Sequence, residues 1–469
     1  MIPLSLAEIA EAVEGTVVGD PETVVDAPAV VDSRLATPGS LFVAVVGEHV
    51  DGHAFADAAA ANGAVAVLGT HATGLPTVLV TDPIAALGRL ARYVRDRLPE
   101  LTVIAMTGSQ GKTGTKDYLA QILAAVGPTV ATAGNFNNEL GVPLTVLRAD
   151  AGTRFLVVEM GARGIGHIAE LCAIARPEIG AVLNVGSAHA SEFGSVEVTA
   201  RAKGELLSAL PADGAAVINT GDARTRVGLS GASVGRVLGF GATPEHDPLL
   251  DGVLSWAEVS YDELGRPRTR LSDGTLAAEL VLRQIGSHQI SNAAAAAALA
   301  LAAGLDFAET VVALNRADRL SRWRMELHER ADGLVVVNDA YNANPESMTQ
   351  ALRTLQEIGA RSGRRTIAVL GEMKELGAES AALHQQVGAT AATAGLDVVV
   401  VIGEGAAPIA EGAARITSWA GSVVSVADRA EALAWLREKT GARDVVLVKA
   451  SRSAGLEIVA EGLAKEESR

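Results

Sequence analysis

Short apolar runs alternate with longer amphipathic stretches along most of the chain. Runs such as LFVAVV (41–46), FLVVEMG (155–161) and DVVVVIG (397–403) are rich in β-branched residues and short, so they predict buried strands. The stretches between them, such as 83–98, are helical in pattern. Strands that alternate with helices predict a mostly parallel sheet with helices on both faces, and therefore the α/β class.

The same alternation predicts where the domains lie. Residues up to about 81 predict a small α/β unit, whereas residues 230–285 loosen into short strands and turns. Further buried strands are predicted at 64–69, 178–186, 215–221, 334–339, 366–371 and 444–450. We predict three α/β domains: a small N-terminal domain (1–82), a central parallel-sheet domain (83–318) and a C-terminal Rossmann-like, doubly wound domain (319–469).

Composition narrows the possible functions. The 469-residue chain has 49% hydrophobic and 20% charged residues, which is typical of a globular protein. Its net charge of −16 argues against a nucleic-acid or anionic-membrane partner. The one cysteine, Cys172, excludes an internal disulfide and a cysteine-cluster zinc site, and we expect it to be a small buried hydrophobe. Glu8 and Glu11 stand where a signal peptide has positive charge, and the longest uncharged helical tract falls short of about 20 residues, so we expect a cytoplasmic protein without membrane insertion.

Residues 101–116, LTVIAMTGSQGKTGTK, predict a nucleotide-phosphate site. An apolar strand opens into a glycine-rich turn, in which Gly108 and Gly111 let backbone N–H groups point into one concavity. Lys112 supplies a positive charge for the β- and γ-phosphates, and the hydroxyl of Thr113 is placed for Mg²⁺ at the start of the next helix. The first glycine comes two residues later than in an ordinary P-loop, so the motif is the narrower variant T-G-x-x-G-K-T-x-T.

Polar residues cluster where the predicted parallel strands end, which is where doubly wound sheets bind ligands. Glu159 ends one strand, and Asn184 and His189 follow the next strand. Asp339 ends a strand of the C-terminal domain. A carboxylate beside the phosphate loop is the hard oxygen ligand that Mg²⁺ requires, so Glu159 is a candidate metal ligand. By itself, Lys203 is typical of a solvated helix lysine.

Three other patterns carry less weight. Gly164, Gly166 and Ala169 spell G-x-G-x-x-A after a strand, but a lone match of this kind is poor evidence for NAD binding. Residues 315–318, NRAD, resemble a guanine-reading motif, yet the strand after the phosphate loop does not end in the Asp-x-x-Gly switch of a GTPase. The nine histidines include no i, i+4 pair on one helix, so a helical zinc site has no support.

Together these motifs resemble the ATP-dependent Mur ligase family, and the resemblance covers the whole chain. It rests on TGSQGKTGTK (107–116), GNFNNELGVP (134–143), VVEMGA (157–162), NVGSAHASEFGS (184–195), ARAKGE (200–205), GSHQISNAAAA (286–296), WRME (323–326), NDAYNANPESM (338–348), LGEMKELG (370–377) and KASR (449–452). Within the family, NDAYNANPESM and LGEMKELG resemble the branch that adds a dipeptide. The segment 31–55 is similar to a region shared with the branch that adds the third residue, so it discriminates less.

The resemblance implies a reaction and a division of labour. The N-terminal domain is expected to bind the UDP-sugar, the central domain to be a P-loop-type ATPase, and the C-terminal domain to close on ATP and bind the dipeptide. The implied activity is an ATP-dependent ligase that joins D-alanyl-D-alanine (D-Ala-D-Ala) to UDP-N-acetylmuramoyl-tripeptide through an acyl phosphate, in peptidoglycan precursor synthesis. The implied cofactors are ATP and two Mg²⁺ ions, and the implied partners are these small molecules, bound by a monomer.

The resemblance also implies roles for individual residues. Lys112 and Thr113 are expected to hold the phosphates and Mg²⁺. Glu159 and His189 are expected to bind metal, and Lys203 to be carbamylated so that it holds a second Mg²⁺. The other residues expected at the nucleotide from the central part of the chain are Thr107, Gly108, Ser109, Gly111, Thr115, His288 and Asn292.

From the C-terminal domain, Arg324 is expected to reach the γ-phosphate and Asp339 the ribose. Trp323 departs from the family pattern, in which a glycine precedes the arginine. The expected catalytic residues are Lys112, Lys203, His189 and Arg324. The expected substrate residues are Ser33 and Arg34 at the uridine diphosphate, and Asn135 and Asn138 along the path to the peptide.

Two competing interpretations stay open. A sister ligase that adds the third residue, or a folate polyglutamylating enzyme, would keep the ATP residues and differ in its outer domains. The motifs at 338–348 and 370–377 disfavour this class, and the D-N-P-R-type motif of the third-residue branch is not found in the last domain. A P-loop switch or binding protein would only bind or hydrolyse nucleotide. The missing first glycine, where the chain has Met106, and the missing switch motif disfavour that class.

Overall fold

The structure is a computed structural model, and it describes residues 1–47, 50–186, 195–244, 247–318 and 320–465. The helices are α1 Leu6–Val13, α2 Ala56–Ala61, α3 Pro83–Asp96, α4 Lys112–Ala124, α5 Gly141–Val146, α6 His167–Ala175, α7 Val196–Ser208, α8 His288–Ala302, α9 Phe307–Arg316, α10 Pro345–Ser362, α11 Ser380–Thr393, α12 Ala407–Ala414, α13 Arg429–Lys439 and α14 Glu457–Ala464.

The strands lie in four sheets. They are β1 Leu4–Ser5, β2 Thr16–Val18, β3 Val24–Val25, β4 Ser40–Val43, β5 Ala64–Gly69, β6 Thr77–Leu79, β7 Thr102–Thr107, β8 Thr129–Ala131, β9 Phe155–Glu159, β10 Ile179–Val182, β11 Ala215–Asn219, β12 Arg236–Gly241, β13 Gly252–Tyr261, β14 Pro267–Ser272, β15 Ala277–Val281, β16 Glu326–Glu329, β17 Val335–Asp339, β18 Arg365–Leu370, β19 Val398–Ile402, β20 Ser422–Val426 and β21 Asp444–Lys449.

The chain divides into two compact units. The first comprises Met1–Ser255, Asp273–Leu276 and Ala293–Ala313, and the second comprises Trp256–Ser272, Ala277–Asn292 and Leu314–Arg469. In the part of the chain that the structure describes, no helix is both long enough and apolar enough to cross a membrane.

The N-terminal part of the first unit is a small sheet in the order β2-β6-β5-β4, with β1 and β3 paired beside it. Helix α1 begins with a capping box, in which Ser5 and Glu8 bond to each other's backbone N–H groups. The apolar faces of α1 and α3 share one core with β4, β5 and β7. The phosphate-loop strand therefore starts from a core that also fixes the N-terminal helices.

The central sheet has the strand order β15-β14-β13-β12-β11-β10-β7-β9-β8. In the stretch β13-β12-β11-β10-β7-β9-β8, every neighbouring pair of strands is parallel. The chain leaves β7 for the β8 edge, returns to β9 and then crosses to β10 on the other side. Such a reversal leaves a crevice at the carboxyl ends of the strands, where ligands bind. The register places Glu159 opposite Met106, so the end of β9 lies beside the start of the phosphate loop.

The second unit contains a six-stranded sheet in the order β16-β17-β21-β18-β19-β20. Strand β16 is antiparallel to β17, and the other pairs are parallel. Helices α10, α11 and α12 cover one face, and α13 and α14 cover the other. The predicted doubly wound arrangement is confirmed, and with it the α/β class.

The apolar runs located most strands closely. The run 64–69 is a strand over its whole length, whereas the run 41–46 forms a strand only over Ser40–Val43. Strands β8 and β20 are among those that were not predicted individually, as are β1, β2, β3, β6 and β16. Strand β8 has three residues, and β20 carries exposed serines at 422 and 425 at the edge of its sheet, so neither forms a continuous apolar run. Cys172 is buried, and burial raises the pKa of its thiol to about 12, as expected of an inert hydrophobe.

Candidate functional site

The phosphate loop is built where β7 ends and α4 begins. Gly111 is the N-cap of α4 and has φ +80°, a left-handed conformation that glycine adopts without strain. Lys112 folds back, and its Nζ donates to the carbonyl oxygen of Gly108 over 2.6 Å. The amino end of α4 therefore carries a positive partial charge and an ammonium group, which together favour an anionic ligand.

Asn184, after β10, fixes the shape of this loop. Its Oδ1 accepts from the N–H of Gln110 over 2.9 Å, and its Nδ2 donates to the carbonyl of Gln110 over 3.0 Å. The N–H of Gly186 donates to Oγ of Ser109 over 2.9 Å. Asn184 and Ser109 thus hold the loop against the neighbouring strand.

Glu159 lies at the centre of the site. It is 2% exposed, and its Oε2 accepts from the hydroxyl of Thr113 over 3.0 Å. Its Oε1 accepts from Nδ2 of Asn137 over 2.8 Å, and its N–H donates to Oγ1 of Thr132 over 3.0 Å. The carboxylate and the hydroxyl that the sequence predicts as Mg²⁺ ligands therefore lie side by side.

The donor set fits a magnesium nucleotide. Mg²⁺ prefers hard oxygen ligands, and Thr113 and Glu159 supply a hydroxyl and a carboxylate. Within the described residues, the buried hydroxyls of Thr107 and Thr115 have no hydrogen-bond partner, and both belong to the phosphate-loop motif. The site therefore pairs oxygen ligands for a cation with donors for an anion.

Lys203, in the middle of α7, is not a solvated lysine. That expectation from the residue alone is wrong, because the residue is only 4% exposed. Burial first, and then the charge of Lys112, lower the pKa of Lys203 to about 7. Among the described residues its ammonium group has no hydrogen-bond or ion-pair partner. A buried lysine with a lowered pKa beside a phosphate loop is a candidate reactive amine.

A second polar group, which includes the predicted residue Asp339, lies at the carboxyl ends of β17 and β21 within the second unit. Asp339 and Lys449 form a buried ion pair of 2.6 Å, and Lys449 also donates to the carbonyl of Asn342 over 2.8 Å. The other carboxylate oxygen of Asp339 accepts from the N–H of Met325 over 3.0 Å. Asp339 therefore organises the segment that carries Arg324.

Arg324 sits between two residues with left-handed backbone. Trp323 has φ +58° and Met325 has φ +50°, which costs about 1–2 kcal/mol for each residue. The guanidinium carbon of Arg324 lies 4.1 Å from the centroid of the Tyr341 ring. In the described chain this guanidinium has no hydrogen bond or ion pair, so its five donors are available to a ligand.

His288 and Asn292 lie on the first turns of α8. Burial lowers the pKa of His288, and the nearby charges of Asp339 and Lys449 act on it in opposite directions. Its Nδ1 is buried with no hydrogen-bond partner among the described residues. The structure thus brings His288 near Asp339, and the neutral imidazole keeps one unpaired nitrogen.

A separate cleft of about 320 Å³ lies at the carboxyl ends of β18, β19, β20 and β21. Its lining includes Glu372, Asp428 and Arg429. Glu372 pairs with Lys374 over 2.6 Å, and the loop that holds both is anchored where the N–H of Lys374 donates to Oγ of Ser451. The cleft therefore presents charges of both signs at its rim.

The predicted substrate residues are spread over two loops of the first unit. Ser33 is buried, and its carbonyl accepts from Asn62 over 2.9 Å. The exposed Arg34 pairs with Asp32, and its hydrogen bonds lower the pKa of Asp32 to about 2. Asn138 accepts from the N–H of Gly141 at the start of α5. Asn135 is exposed, and His189 lies outside the described residues.

The G-x-G-x-x-A pattern has a structural role. Glu205 accepts from the N–H groups of Gly166 and Ala169, at 2.6 and 3.1 Å. The amino end of α6 is therefore already capped by a carboxylate, which opposes a pyrophosphate there. Asn315, of the NRAD pattern, is likewise engaged, since it accepts from Val281 and donates to Glu279 across β15.

Asp51, His53 and His71 cluster in the N-terminal part, but His53 has no nitrogen left for a metal ion. Nδ1 of His53 lies 2.6 Å from the carboxylate of Asp51, and its Nε2 accepts from the N–H of Thr70 over 2.9 Å. Both nitrogens of this imidazole are therefore used inside the protein, and Asp51 also caps the 3₁₀ turn at Gly52–Phe55 by accepting from the N–H of His53.

Three residues of the site were not predicted from the sequence: Thr132, Asn137 and Lys449. Asn137 is inside the quoted GNFNNELGVP motif, next to Asn138 and two residues after Asn135, so the sequence alone does not show which asparagine reaches Glu159. Lys449 is detectable in retrospect, because a lysine at the end of an otherwise apolar strand must find a buried partner.

The chain matches known families, relatives and solved structures. Three family descriptions match the chain: "Mur ligase family, catalytic domain" at 30–101, "Mur ligase middle domain" at 106–300 and "Mur ligase, glutamate ligase domain" at 323–452. The UDP-N-acetylmuramoyl-tripeptide–D-alanyl-D-alanine ligase of Mycobacterium tuberculosis is 41% identical, with 100% of this chain and 99% of the relative covered. That of Escherichia coli is 37% identical, with 99% of each covered.

Solved structures match as well. A crystal structure of MurF from Acinetobacter baumannii aligns with a TM-score of 0.83 at 29% identity, and 99% of each chain is covered. The MurF ligase of Thermotoga maritima in complex with ADP aligns with a TM-score of 0.75 at 31% identity, covering 94% of this chain and 97% of that one. Three matched domains and full-length relatives confirm the predicted three-domain architecture, and the chain belongs to the Mur ligase family.

Proposed function

We propose that this protein is an ATP-dependent ligase that joins D-Ala-D-Ala to UDP-N-acetylmuramoyl-tripeptide and releases ADP and phosphate. The observation that carries the proposal is the buried pair of Thr113 and Glu159 at the phosphate loop, in a chain that aligns over its whole length with ligases named for this reaction. Since ATP and UDP-linked precursors are cytoplasmic metabolites, we place the protein in the cytoplasm. We propose that it acts as a monomer.

The first chemical step transfers the γ-phosphoryl group. A carboxylate oxygen of the tripeptide attacks the γ-phosphorus, the bond to the β-phosphate oxygen breaks, and ADP leaves with an acyl phosphate formed. Two anions must meet, so Lys112 and Arg324 are proposed to offset their repulsion and to stabilise the charge on the transferred group. Thr113, Glu159 and His189 are proposed to hold Mg²⁺, which supplies further charge neutralisation when it is bound.

In the second step the free amine of the dipeptide attacks the acyl carbon. The new C–N bond forms, the C–O bond to phosphate breaks and phosphate leaves, with one amine proton released to the surroundings. The three domains are proposed to divide these tasks as the sequence predicts: 1–82 for the UDP-sugar, 83–318 for ATP, and 319–469 for the dipeptide and for residues that reach the nucleotide. Arg324 is proposed to bind the γ-phosphate, Asp339 the ribose, and His288 and Asn292 the nucleotide.

Lys203 is proposed to react with CO₂. The neutral amine attacks the carbon of CO₂ and loses a proton, which gives a carbamate with one negative charge. The lowered pKa supports this proposal, because a large fraction of the amine is neutral near pH 7. A carbamate beside Lys112 would replace like-charge repulsion by attraction and would offer oxygen ligands to a second Mg²⁺.

The cleft at the end of the C-terminal sheet is the proposed dipeptide site. A dipeptide carries a carboxylate at one end and an amine at the other. In the described chain Arg429 has no hydrogen-bond or ion-pair partner, so its guanidinium is available to the carboxylate. Glu372 is placed to accept from the amine. Charges of both signs at one cleft support a zwitterionic ligand of this size.

Replacing Gly405 by alanine is expected to raise the KM for D-Ala-D-Ala roughly tenfold with little change in the KM for ATP. A Cβ on Gly405 would lie 2.5 Å from the carboxyl carbon of Glu372, so the flexible side chain of Glu372 must move away from the cleft. Steady-state kinetics with the dipeptide varied at saturating ATP measures this change.

Gly441→Ala is the matched control, because a Cβ there meets nothing within 4 Å. It is expected to keep the wild-type KM for the dipeptide. If Gly405→Ala also keeps the wild-type KM for the dipeptide, although its Cβ displaces Glu372, then Glu372 does not bind the dipeptide.

The proposed function is tested by phosphate release with both substrates present and then with each one omitted. Turnover that requires both substrates, together with the mass of the pentapeptide nucleotide, supports the dipeptide-adding ligase. Phosphate release without either substrate would instead indicate a nucleotide-hydrolysing switch. Turnover with a free amino acid in place of the dipeptide would indicate a sister ligase.

A further inference from the structure

The turn that carries Arg324 has an unusual backbone. Trp323 and Met325, on either side of Arg324, both lie in the left-handed region, with φ +58° and +50°. Residues with a Cβ rarely adopt this conformation, and they keep it only where surrounding contacts hold it. Arg324 lies between these two strained residues, so the two peptide groups that flank it set its position.

The Trp323 side chain contacts Glu461 of α14 and Arg452, which precedes that helix. Its indole N–H donates to Oε1 of Glu461 over 2.8 Å, and the guanidinium carbon of Arg452 lies 4.2 Å from the centroid of its ring. Arg452 is in turn paired with Glu457, at 2.6 Å. We call Trp323, Glu461 and Arg452 the tryptophan latch. It links the turn before β16 to the last helix of the second unit.

The backbone around Arg324 is fixed by the neighbouring strand. The carbonyl of Trp323 accepts from the N–H of Tyr341 over 3.0 Å, and the N–H of Met325 donates to Asp339 over 3.0 Å. The guanidinium of Arg324 lies over the ring of Tyr341. The peptide groups on both sides are therefore bonded, while the guanidinium donors have no hydrogen bond within the described residues.

We infer that Trp323 is a positioning residue: the tryptophan latch holds the left-handed turn and so fixes, within the second unit, the backbone from which Arg324 is proposed to bind the γ-phosphate. The inference rests on the proposed function for the role of Arg324, and goes beyond it by assigning Trp323, Glu461 and Arg452. A glycine would adopt this backbone without strain, but it would have no side chain to bond to α14. Preorganisation matters because a small misplacement of a charged group near the reacting atoms lowers the rate strongly.

The test compares Trp323→Phe, which keeps the ring and removes the N–H donor, with Trp323→Gly, which removes the whole latch contact. We expect kcat to fall about threefold to tenfold in the first variant and by about 10²-fold in the second. Glu461→Gln keeps an acceptor and removes the charge, and it is expected to resemble Trp323→Phe. In an Arg324→Ala background, adding Trp323→Gly is expected to change kcat by less than about twofold, because the effects of two mutations are not additive when one residue acts through the other.

A second readout does not require ligase turnover. The affinity for a non-hydrolysable ATP analogue and for ADP is measured by calorimetry, and the latch variants are expected to lose affinity for the analogue but not for ADP. If the wild-type protein fails to ligate, the proposed function is wrong, while this binding preference still tests the latch.

Trp419→Phe is the matched control. Trp419 lies in the same unit, and its indole N–H also donates a hydrogen bond, to the carbonyl of Leu396 over 2.6 Å, far along the chain from Arg324. Trp419→Phe and Trp323→Phe are both expected to lower the melting temperature. Only Trp419→Phe is expected to keep the wild-type kcat and the wild-type preference for the ATP analogue. The positioning role is refuted if Trp323→Gly keeps the wild-type kcat and the wild-type preference for the ATP analogue. It is also refuted if Trp323→Gly lowers kcat by the same factor in the Arg324→Ala background as in the wild-type protein.

Discussion

Replacing Lys203 by alanine is expected to lower kcat by roughly 10²- to 10³-fold, the effect of removing one group that stabilises transition-state charge. The residue is 4% exposed in the middle of α7 and feels the charge of Lys112, so its carbamate would lie at the phosphate loop. Formate or acetate, which supply a free carboxylate, are expected to restore part of the activity.

The control for Lys203→Ala is Arg201→Ala, an exposed cation on the same helix, which is expected to keep wild-type kcat. Loss of activity in Lys203→Ala without any rescue by short carboxylates would point to a packing role. Unchanged turnover in that variant would remove Lys203 from the site.

The pH dependence of the carbamate follows from the lowered pKa. Only the neutral amine attacks CO₂, and with a pKa of about 7 the neutral fraction rises from about 10% at pH 6 to about 90% at pH 8. An ordinary lysine, with a pKa of about 10.4, is almost wholly protonated over this range. Carbon-13 NMR with labelled bicarbonate is therefore expected to show a carbamate signal that grows as the pH rises through 7, and that is absent from Lys203→Ala.

Glu159→Gln is expected to lower kcat by roughly 10²-fold or more and to raise the Mg²⁺ concentration needed for half-maximal activity. The amide has the same shape as the carboxylate and an oxygen that accepts from Thr113 or Asn137, so the main loss is the negative charge. A titration of Mg²⁺ at fixed ATP measures the change.

Glu178→Gln is the matched control for Glu159→Gln. Glu178 directly precedes β10, so it lies at the amino end of a strand in the same sheet, whereas Glu159 lies at a carboxyl end. There it pairs with Arg95 and accepts from the N–H of Val103 over 2.7 Å. This variant is expected to lose stability and to keep the wild-type Mg²⁺ dependence. An unchanged Mg²⁺ dependence in Glu159→Gln would contradict the assignment of Glu159 as a metal ligand.

The sequence predicted the α/β fold and most strands because their apolar runs are continuous. It also predicted that Thr113 and Glu159 lie together, since a phosphate loop and the end of the adjacent parallel strand share one edge of a sheet. It did not predict Asn137 as the partner of Glu159, because the sequence does not show which of Asn135, Asn137 and Asn138 the loop brings to that carboxylate.

The remaining site features depend on contacts between distant segments. The burial of Lys203 is not visible in ARAKGE, because a lysine on a helix is usually solvated and only tertiary packing excludes water from it. Trp323 was recognised as a departure from the family pattern, but its partners Glu461 and Arg452 lie more than a hundred residues along the chain. Such pairings have no local sequence pattern.

The most direct test of the ligase assignment follows the oxygen atoms. UDP-N-acetylmuramoyl-tripeptide with both oxygens of its terminal carboxylate labelled as oxygen-18 is incubated with ATP and D-Ala-D-Ala, and the released phosphate is analysed by mass. Attack of the carboxylate on the γ-phosphorus predicts one labelled oxygen in phosphate and one in the new amide. Unlabelled phosphate, released while no pentapeptide nucleotide is formed, would mean that water is the acceptor and would contradict the assignment.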